Sequence, residues 1–126
     1  DIPILNVGYL KNDHELLNAY QASDIFLNTS IDDIGPYMLA EAMLCELVVI
    51  SYNVGIAKDL ISNQESGFIC KNIDFKEYYD NLIKAISLSE IKRNKIGIKA
   101  RNKAESFHNW ENSFNKYLDI FNSANI

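Results

Sequence analysis

Short apolar segments alternate with helix-like patterns along the first 70 residues, and this alternation is the strongest constraint on the fold. An apolar run of about four to eight residues bounded by polar residues or glycine is typical of a buried strand. The third run, residues 47–51, is apolar on both faces, which favours a parallel sheet covered by helices on both sides. The sequence therefore predicts an α/β fold with strands at residues 4–9, 25–28, 47–51 and 67–70.

Helix signals fill the intervals between these runs. Asn12, followed three positions later by Glu15, forms a capping box that predicts the start of a helix. Pro36 suits the first position of a helix, because its missing N–H has no helical partner there. We expect a single domain over residues 1–126, with a helical tail from about residue 75. The later predicted helices cover residues 36–44, 56–61, 75–88, 91–106 and 110–122.

Charge and composition exclude several classes of function. A net charge of −5 argues against a nucleic-acid partner, because such proteins need a basic face to displace counterions. No apolar run approaches the roughly 18–20 residues that a membrane span requires. Cys45 and Cys70 lie in apolar surroundings and predict buried, reduced thiols, which favours a cytoplasmic setting. His14 and His108 are far apart without ligands at metal-binding spacing, so no metal site is expected.

Residues 28–43 are the most informative segment for function, since a predicted strand, a polar loop and a helix follow one another there. The amides of Tyr37 and Met38 would lack helical partners, so this end of the helix suits an anion such as phosphate. Asp33 in the loop and Glu41 in the helix can each accept hydrogen bonds from vicinal hydroxyls. A purely structural interpretation stands beside this one, because acidic residues stabilise early helix positions and aspartates form turns.

This segment resembles the signature of retaining GT-B glycosyltransferases, in particular the sugar-nucleotide-dependent group often numbered family 4. Thr29-Ser30 is similar to the Pro-Ser of that signature, Asp33 falls on its first acidic position, and Glu41-Ala42-Met43 falls on its second. Residues 33–36 resemble an Asp-x-Gly-Pro variant of it. Segments 48–50, 53–61, 67–69 and 107–121 resemble later parts of the same C-terminal domain, so the resemblance covers nearly the whole chain.

The resemblance implies a Rossmann-like, partial GT-B C-terminal domain that binds a UDP- or GDP-linked sugar. In the family, the residue matching Glu41 holds the ribose hydroxyls. The residue matching Asp33 lies at the donor sugar and is the catalytic candidate. The other donor contacts that the resemblance implies are Ser30, Ile34, Gly35, Pro36, Tyr37 and Met38.

The implied reaction is a retaining hexosyl transfer to a glycan or lipid acceptor, in polysaccharide or glycolipid assembly, without a bound metal or cofactor. The resemblance assigns acceptor binding to an N-terminal domain that this chain does not contain, and it leaves any membrane association to such missing parts. The chain by itself is therefore expected to be inactive. Two alternatives remain open: a non-catalytic nucleotide-binding or interaction module of the same fold, and a flavodoxin-like domain.

The chain departs from the family pattern in two ways. Glu46 stands where the family has a glycine, at a helix end that normally takes a left-handed conformation. The first two strands of the family's domain are absent. Residues 4–9 must therefore either pair directly with residues 25–28 or meet another polypeptide segment.

An aromatic stripe marks the last predicted helix. Trp110, Phe114, Tyr117 and Phe121 recur at helical spacing, which predicts packing into the core. Contact with a partner domain is the alternative.

Overall fold

The computed structural model describes residues 2–124, and within them helices and strands alternate as far as the third strand. The strands are β1 (Ile25–Asn28), β2 (Val48–Tyr52) and β3 (Phe68–Cys70). The helices are α1 (Asp13–Gln21), α2 (Tyr37–Leu44), α3 (Ala57–Leu60), α4 (Phe75–Ile86), α5 (Glu90–Phe107) and α6 (Trp110–Ser123). The three strands are parallel and lie in the order β1-β2-β3.

Strand β2 lies at the centre of the sheet, and all five of its residues are buried. On one face Val49 shares a cluster with Leu39 and Met43 of α2. On the other face Val48 shares a second cluster with Tyr78 of α4. Both faces of the sheet are therefore covered by helices, which confirms the predicted α/β class and explains why the strand is apolar throughout.

Helix α1 begins at the predicted cap. The Glu15 amide donates to Oδ1 of Asn12 over 3.0 Å. The Glu15 carboxylate reaches one residue further back than the capping box predicts, and it accepts from the Lys11 amide over 2.8 Å. Side-chain caps also start three later helices, at Asp74, Ser89 and Asn109. Short-range hydrogen bonds therefore define these helix starts.

The predicted strand at residues 4–9 is wrong. These residues form no regular secondary structure, and their apolar side chains are exposed, to 93% for Ile4 and 91% for Tyr9. A strand needs a neighbour for its backbone groups, and within the described residues β1 pairs only with β2. The direct pairing of residues 4–9 with residues 25–28 therefore does not occur.

The prediction that the aromatic stripe of α6 packs into the core is also wrong. No residue of α6 is buried, and Trp110 and Phe121 are 71% and 70% exposed. Helical spacing predicts that such side chains share one face, but it carries no information on what covers that face.

Glu46 takes the left-handed conformation that its position in the sequence predicts, with φ of 63°. It follows α2 in a Schellman motif, in which the Glu46 amide donates to the Met43 carbonyl over 3.0 Å. The Leu47 amide completes the motif by donating to the Ala42 carbonyl over 3.1 Å. The turn after α2 therefore has the geometry that usually requires glycine, and Glu46 occupies its left-handed, strained position.

Replacing Glu46 by glycine is expected to raise the free energy of unfolding by about 0.5 kcal/mol, as measured by urea denaturation. Removal of the left-handed strain outweighs the backbone entropy of glycine and the loss of an exposed ion pair to Arg101. Glu46→Ala is the matched control, because it removes the ion pair and keeps the strain. A Glu46→Gly variant no more stable than Glu46→Ala would contradict this account.

Candidate functional site

The loop between β1 and α2 lies at the carboxyl edge of the parallel sheet. Residues 29–36 leave the end of β1 and lead directly into the amino end of α2. In open parallel sheets, ligands bind beyond the carboxyl ends of the strands, where loops of this kind lead into helices. The structure thus brings the predicted site segment to the edge where such folds hold their ligands.

A buried hydrogen-bond network holds the start of this loop. Asn28, only 5% exposed, donates from Nδ2 to Oγ of Ser51 over 2.9 Å, which ties the end of β1 to β2. Its Oδ1 accepts from the Ser30 amide over 3.4 Å. From the opposite face, the Tyr78 hydroxyl donates to the Asn28 carbonyl over 3.2 Å. The side-chain amide and the backbone carbonyl of Asn28 both have hydrogen-bond partners, so the point at which the loop leaves the sheet is tightly defined.

Asp33 forms a local turn within the loop. Its Oδ1 accepts from the Gly35 amide over 2.9 Å, and the side chain is half-buried. Aspartate commonly makes this bond to the amide two residues on. The Gly35 amide, predicted to meet the ligand, is thus bonded to Asp33 in the structure.

Gly55 supports the same loop from the turn after β2. The backbone oxygens of Asp33 and Ile34 lie only 2.6 Å from the place that a Cβ atom on Gly55 would occupy. Gly55 also has φ of +49°, in the region that favours glycine. The loop therefore rests directly on a backbone that has no room for a side chain.

The amino end of α2 has no side-chain cap. Pro36 takes the capping position and is buried, and the next two residues, Tyr37 and Met38, open the helix. Their amides have no acceptor within the helix, which keeps them suited to an anionic group. The side chains of Ile34, Tyr37 and Met38 are exposed, Ile34 to 95%. Apolar groups therefore surround a polar helix end.

Glu41 lies one turn into α2 and faces α1. Its side chain is half-buried, and its Oε2 accepts a hydrogen bond of 2.9 Å from the Tyr20 hydroxyl. Both residues line a cavity of about 370 Å³ between the two helices, with Leu16 and Cys45 on its walls. Asp33 does not line this cavity. The structure thus groups Glu41 with α1 and Asp33 with Gly35 and Gly55.

The environment of this cavity keeps its neutral groups protonated. Burial, followed by the hydrogen bond and the charge of Glu41, raises the pKa of Tyr20 well above its ordinary value. Burial and then the charge of Glu41 raise the pKa of the Cys45 thiol. Tyr20 therefore acts as a hydrogen-bond donor at neutral pH, and the raised pKa favours the thiol form of Cys45.

Sequence reasoning missed three residues of this arrangement. The sequence indicates Tyr20 only as one of the apolar positions of a helix, and it indicates Asn28 only as the polar end of a strand. The sequence indicates Gly55 as a glycine in a turn, but it does not predict which loop Gly55 supports. The single sequence holds no signal for these contacts, because each joins residues that lie far apart along the chain.

Two further observations concern residues 2–124. No group of three or more histidine, cysteine, aspartate or glutamate side chains comes together there as a metal-binding cluster. In the same residues, none of the helices is long and apolar enough to span a bilayer.

Comparison with known proteins gives a family and a fold. The family model described as Glycosyl transferases group 1 matches residues 4–103. No curated protein sequence matches the chain.

Several solved structures share the fold. A glycosyltransferase from Rickettsia africae has a TM-score of 0.75 and 24% identity over 91% of this chain and 31% of its own. Sucrose-phosphate synthase from Thermosynechococcus elongatus has a TM-score of 0.72 and 21% identity over 90% and 30%. The C-terminal domain of a glycosyl transferase group 1 family protein from Francisella tularensis has a TM-score of 0.67 and 24% identity over 79% and 51%. The chain thus spans only part of each of these proteins.

Proposed function

Since the chain belongs to the glycosyl transferases group 1 family, we propose that it is part of the donor-binding half of a glycosyltransferase. The donor is a nucleoside diphosphate sugar, in which the sugar is linked to UDP or to GDP. The observation that carries this proposal is the half-buried Glu41 carboxylate, which lines a cavity of about 370 Å³ one turn from the open amino end of α2. A carboxylate can accept from two vicinal hydroxyls, so Glu41 is suited to holding the ribose.

The donor's charged part is proposed to lie against the helix end. The amides of Tyr37 and Met38 point out of the first turn of α2, and the helix dipole favours an anion there. The side chains of Ile34, Tyr37 and Met38 and the ring of Pro36 provide apolar contacts around it, and Ser30 lies near the start of the loop. This arrangement suits a diphosphate that joins a ribose to a sugar.

Asp33 is proposed to act at the donor sugar. Its Oδ1 is bonded to the Gly35 amide, which fixes the side chain and leaves Oδ2 to accept from a sugar hydroxyl. In such a site the catalytic contribution comes from positioning the reacting groups and from amides that stabilise the leaving diphosphate. We propose that the transfer retains the anomeric configuration and uses a glycan or lipid acceptor in polysaccharide or glycolipid assembly.

The chain is proposed to need a further domain for activity. It spans about a third of two of the structural neighbours and about half of the third. We propose that the acceptor site, and any contact with a membrane, belong to other parts of a longer cytoplasmic protein, and that residues 1–126 by themselves transfer no sugar.

The direct test is calorimetric titration of the longer protein with UDP and with GDP, compared with its Glu41→Gln variant. We expect one of the two nucleotides to bind and the substitution to weaken its affinity about tenfold or more, because hydrogen bonds to a charged acceptor are lost. Glu105→Gln is the matched control, since that carboxylate is exposed and pairs with Arg101 on α5. The anomeric configuration of the product, read by NMR, tests retention.

Unchanged nucleotide affinity in Glu41→Gln would show that the ribose assignment is wrong. Nucleotide binding without any sugar transfer by the longer protein would favour the non-catalytic module instead.

A further inference from the structure

Tyr20 and Glu41 are joined across two helices. Tyr20 lies near the end of α1, and its hydroxyl is 2.9 Å from Oε2 of Glu41 and 3.5 Å from the carbonyl oxygen of Met38. The ring is buried, with 8% exposed, and packs edge-on against Phe26 at a centroid distance of 6.0 Å. The phenol therefore occupies a defined place, held by packing on one side and by hydrogen bonds on the other.

We propose that Tyr20 is a positioning residue for nucleotide binding: it holds Oε2 of Glu41, so that Oε1 accepts hydrogen bonds from the ribose hydroxyls. This inference rests on the proposed function and adds to it a residue on a different helix. It also explains why a polar hydroxyl is placed inside an otherwise apolar cluster.

The hydrogen-bonding capacity of Glu41 supports this role. Within residues 2–124, Tyr20 is the one side chain that hydrogen-bonds to the Glu41 carboxylate, and no salt bridge there includes Glu41. A carboxylate has about four acceptor sites, so a single phenol leaves most of them for a ligand. A half-buried carboxylate that lacks a cation and has spare acceptors is suited to binding hydroxyl groups.

The phenol of Tyr20 is also chemically suited to hold the Glu41 carboxylate. A phenol that remains protonated donates to a carboxylate at any pH near neutrality, and the surroundings of Tyr20 favour its protonated form. The cavity beside the pair is a shallow groove that opens to solvent, and its volume of about 370 Å³ suits a sugar-sized group. Tyr20 thus orients the Glu41 carboxylate and leaves the groove beside it for a ribose.

The test compares ribose with deoxyribose binding in the Tyr20→Phe variant of the longer protein. We expect the affinity for UDP or GDP, whichever binds, to fall about 3–10-fold, and the affinity for the matching 2′-deoxynucleotide, which keeps only the 3′-hydroxyl, to fall less. In the sugar-transfer reaction, KM for the donor should rise while kcat changes less. Tyr79→Phe is the matched control, because it removes the same hydroxyl from an exposed tyrosine on α4, on the other face of the sheet. The control should leave the ratio of ribose to deoxyribose affinity unchanged.

A double-mutant cycle gives a second readout. In the Glu41→Gln background, Tyr20→Phe should have little further effect on nucleotide affinity, because the two residues act through one interaction. Equal losses for ribose and deoxyribose nucleotides, or fully additive effects in the cycle, would overturn the positioning role and leave the proposed function standing. If Glu41→Gln itself changes neither nucleotide's affinity, the ribose assignment within the proposed function fails instead.

Discussion

Gly97→Ala is expected to lower the free energy of unfolding by about 3 kcal/mol, although alanine is the better helix former by about 1 kcal/mol. Gly97 lies in α5 where that helix crosses the turn after α2. A Cβ atom there would lie 2.1 Å from the Glu46 carbonyl oxygen, against 3.4–4 Å for ordinary contact. Because the obstacle is backbone, either α5 or the turn must move, and the tight packing around Ala100 and Ala104 is lost.

Urea denaturation of the chain, followed by circular dichroism, measures this effect. Asn102→Ala is the matched control, since Asn102 is an exposed residue of the same helix and its replacement by alanine also raises helix propensity, by up to about 0.7 kcal/mol. The control is expected to be neutral or slightly stabilising. A stabilising Gly97→Ala would mean that α5 does not approach the Glu46 carbonyl this closely.

Gly55→Ala is expected to cost about 2 kcal/mol of stability and to weaken nucleotide binding by tenfold or more. The new methyl group would lie 2.6 Å from the backbone oxygens of Asp33 and Ile34, so the loop that leads into α2 must shift. Alanine also takes φ of +49° less readily than glycine. Small displacements of positioning groups reduce binding and catalysis sharply.

Gly8→Ala separates these two causes. Gly8 has φ of +68°, and nothing lies within 4 Å of the added Cβ position, so this variant has the backbone strain without the collision. Denaturation and nucleotide titration of both variants should show a loss of binding only for Gly55→Ala. Equal behaviour of the two variants would show that the contact with the loop has no effect on the site.

Local sequence signals were sufficient for most of the secondary structure. The run at residues 25–28 forms a strand with the predicted bounds, and the run at residues 47–51 forms one shifted by a single residue. Asn12 caps α1, as predicted, and Pro36, predicted as the first residue of α2, lies one position before that helix, at its N-cap. These features depend on residues within a few positions of one another, so a single sequence contains them.

The candidate site could be predicted only in part. Asp33 and Glu41 were singled out by their spacing and by the resemblance, and their roles stay predictions. Their surroundings were not predictable, because the contact from Tyr20 to Glu41 spans 21 positions of the chain and the support from Gly55 involves only backbone atoms. Neither contact leaves a periodic trace in the sequence.

The sequence by itself determined the class of fold and most of the helix starts, since hydrophobic period, capping and turn chemistry are short-range effects. The tertiary structure alone decided that residues 4–9 form no strand and that the aromatic face of α6 is exposed. It also decided that the hydroxyl of Tyr20 is the group that donates a hydrogen bond to Glu41. An apolar or polar group needs a partner whatever its sequence context, but the identity of that partner depends on how distant elements cross.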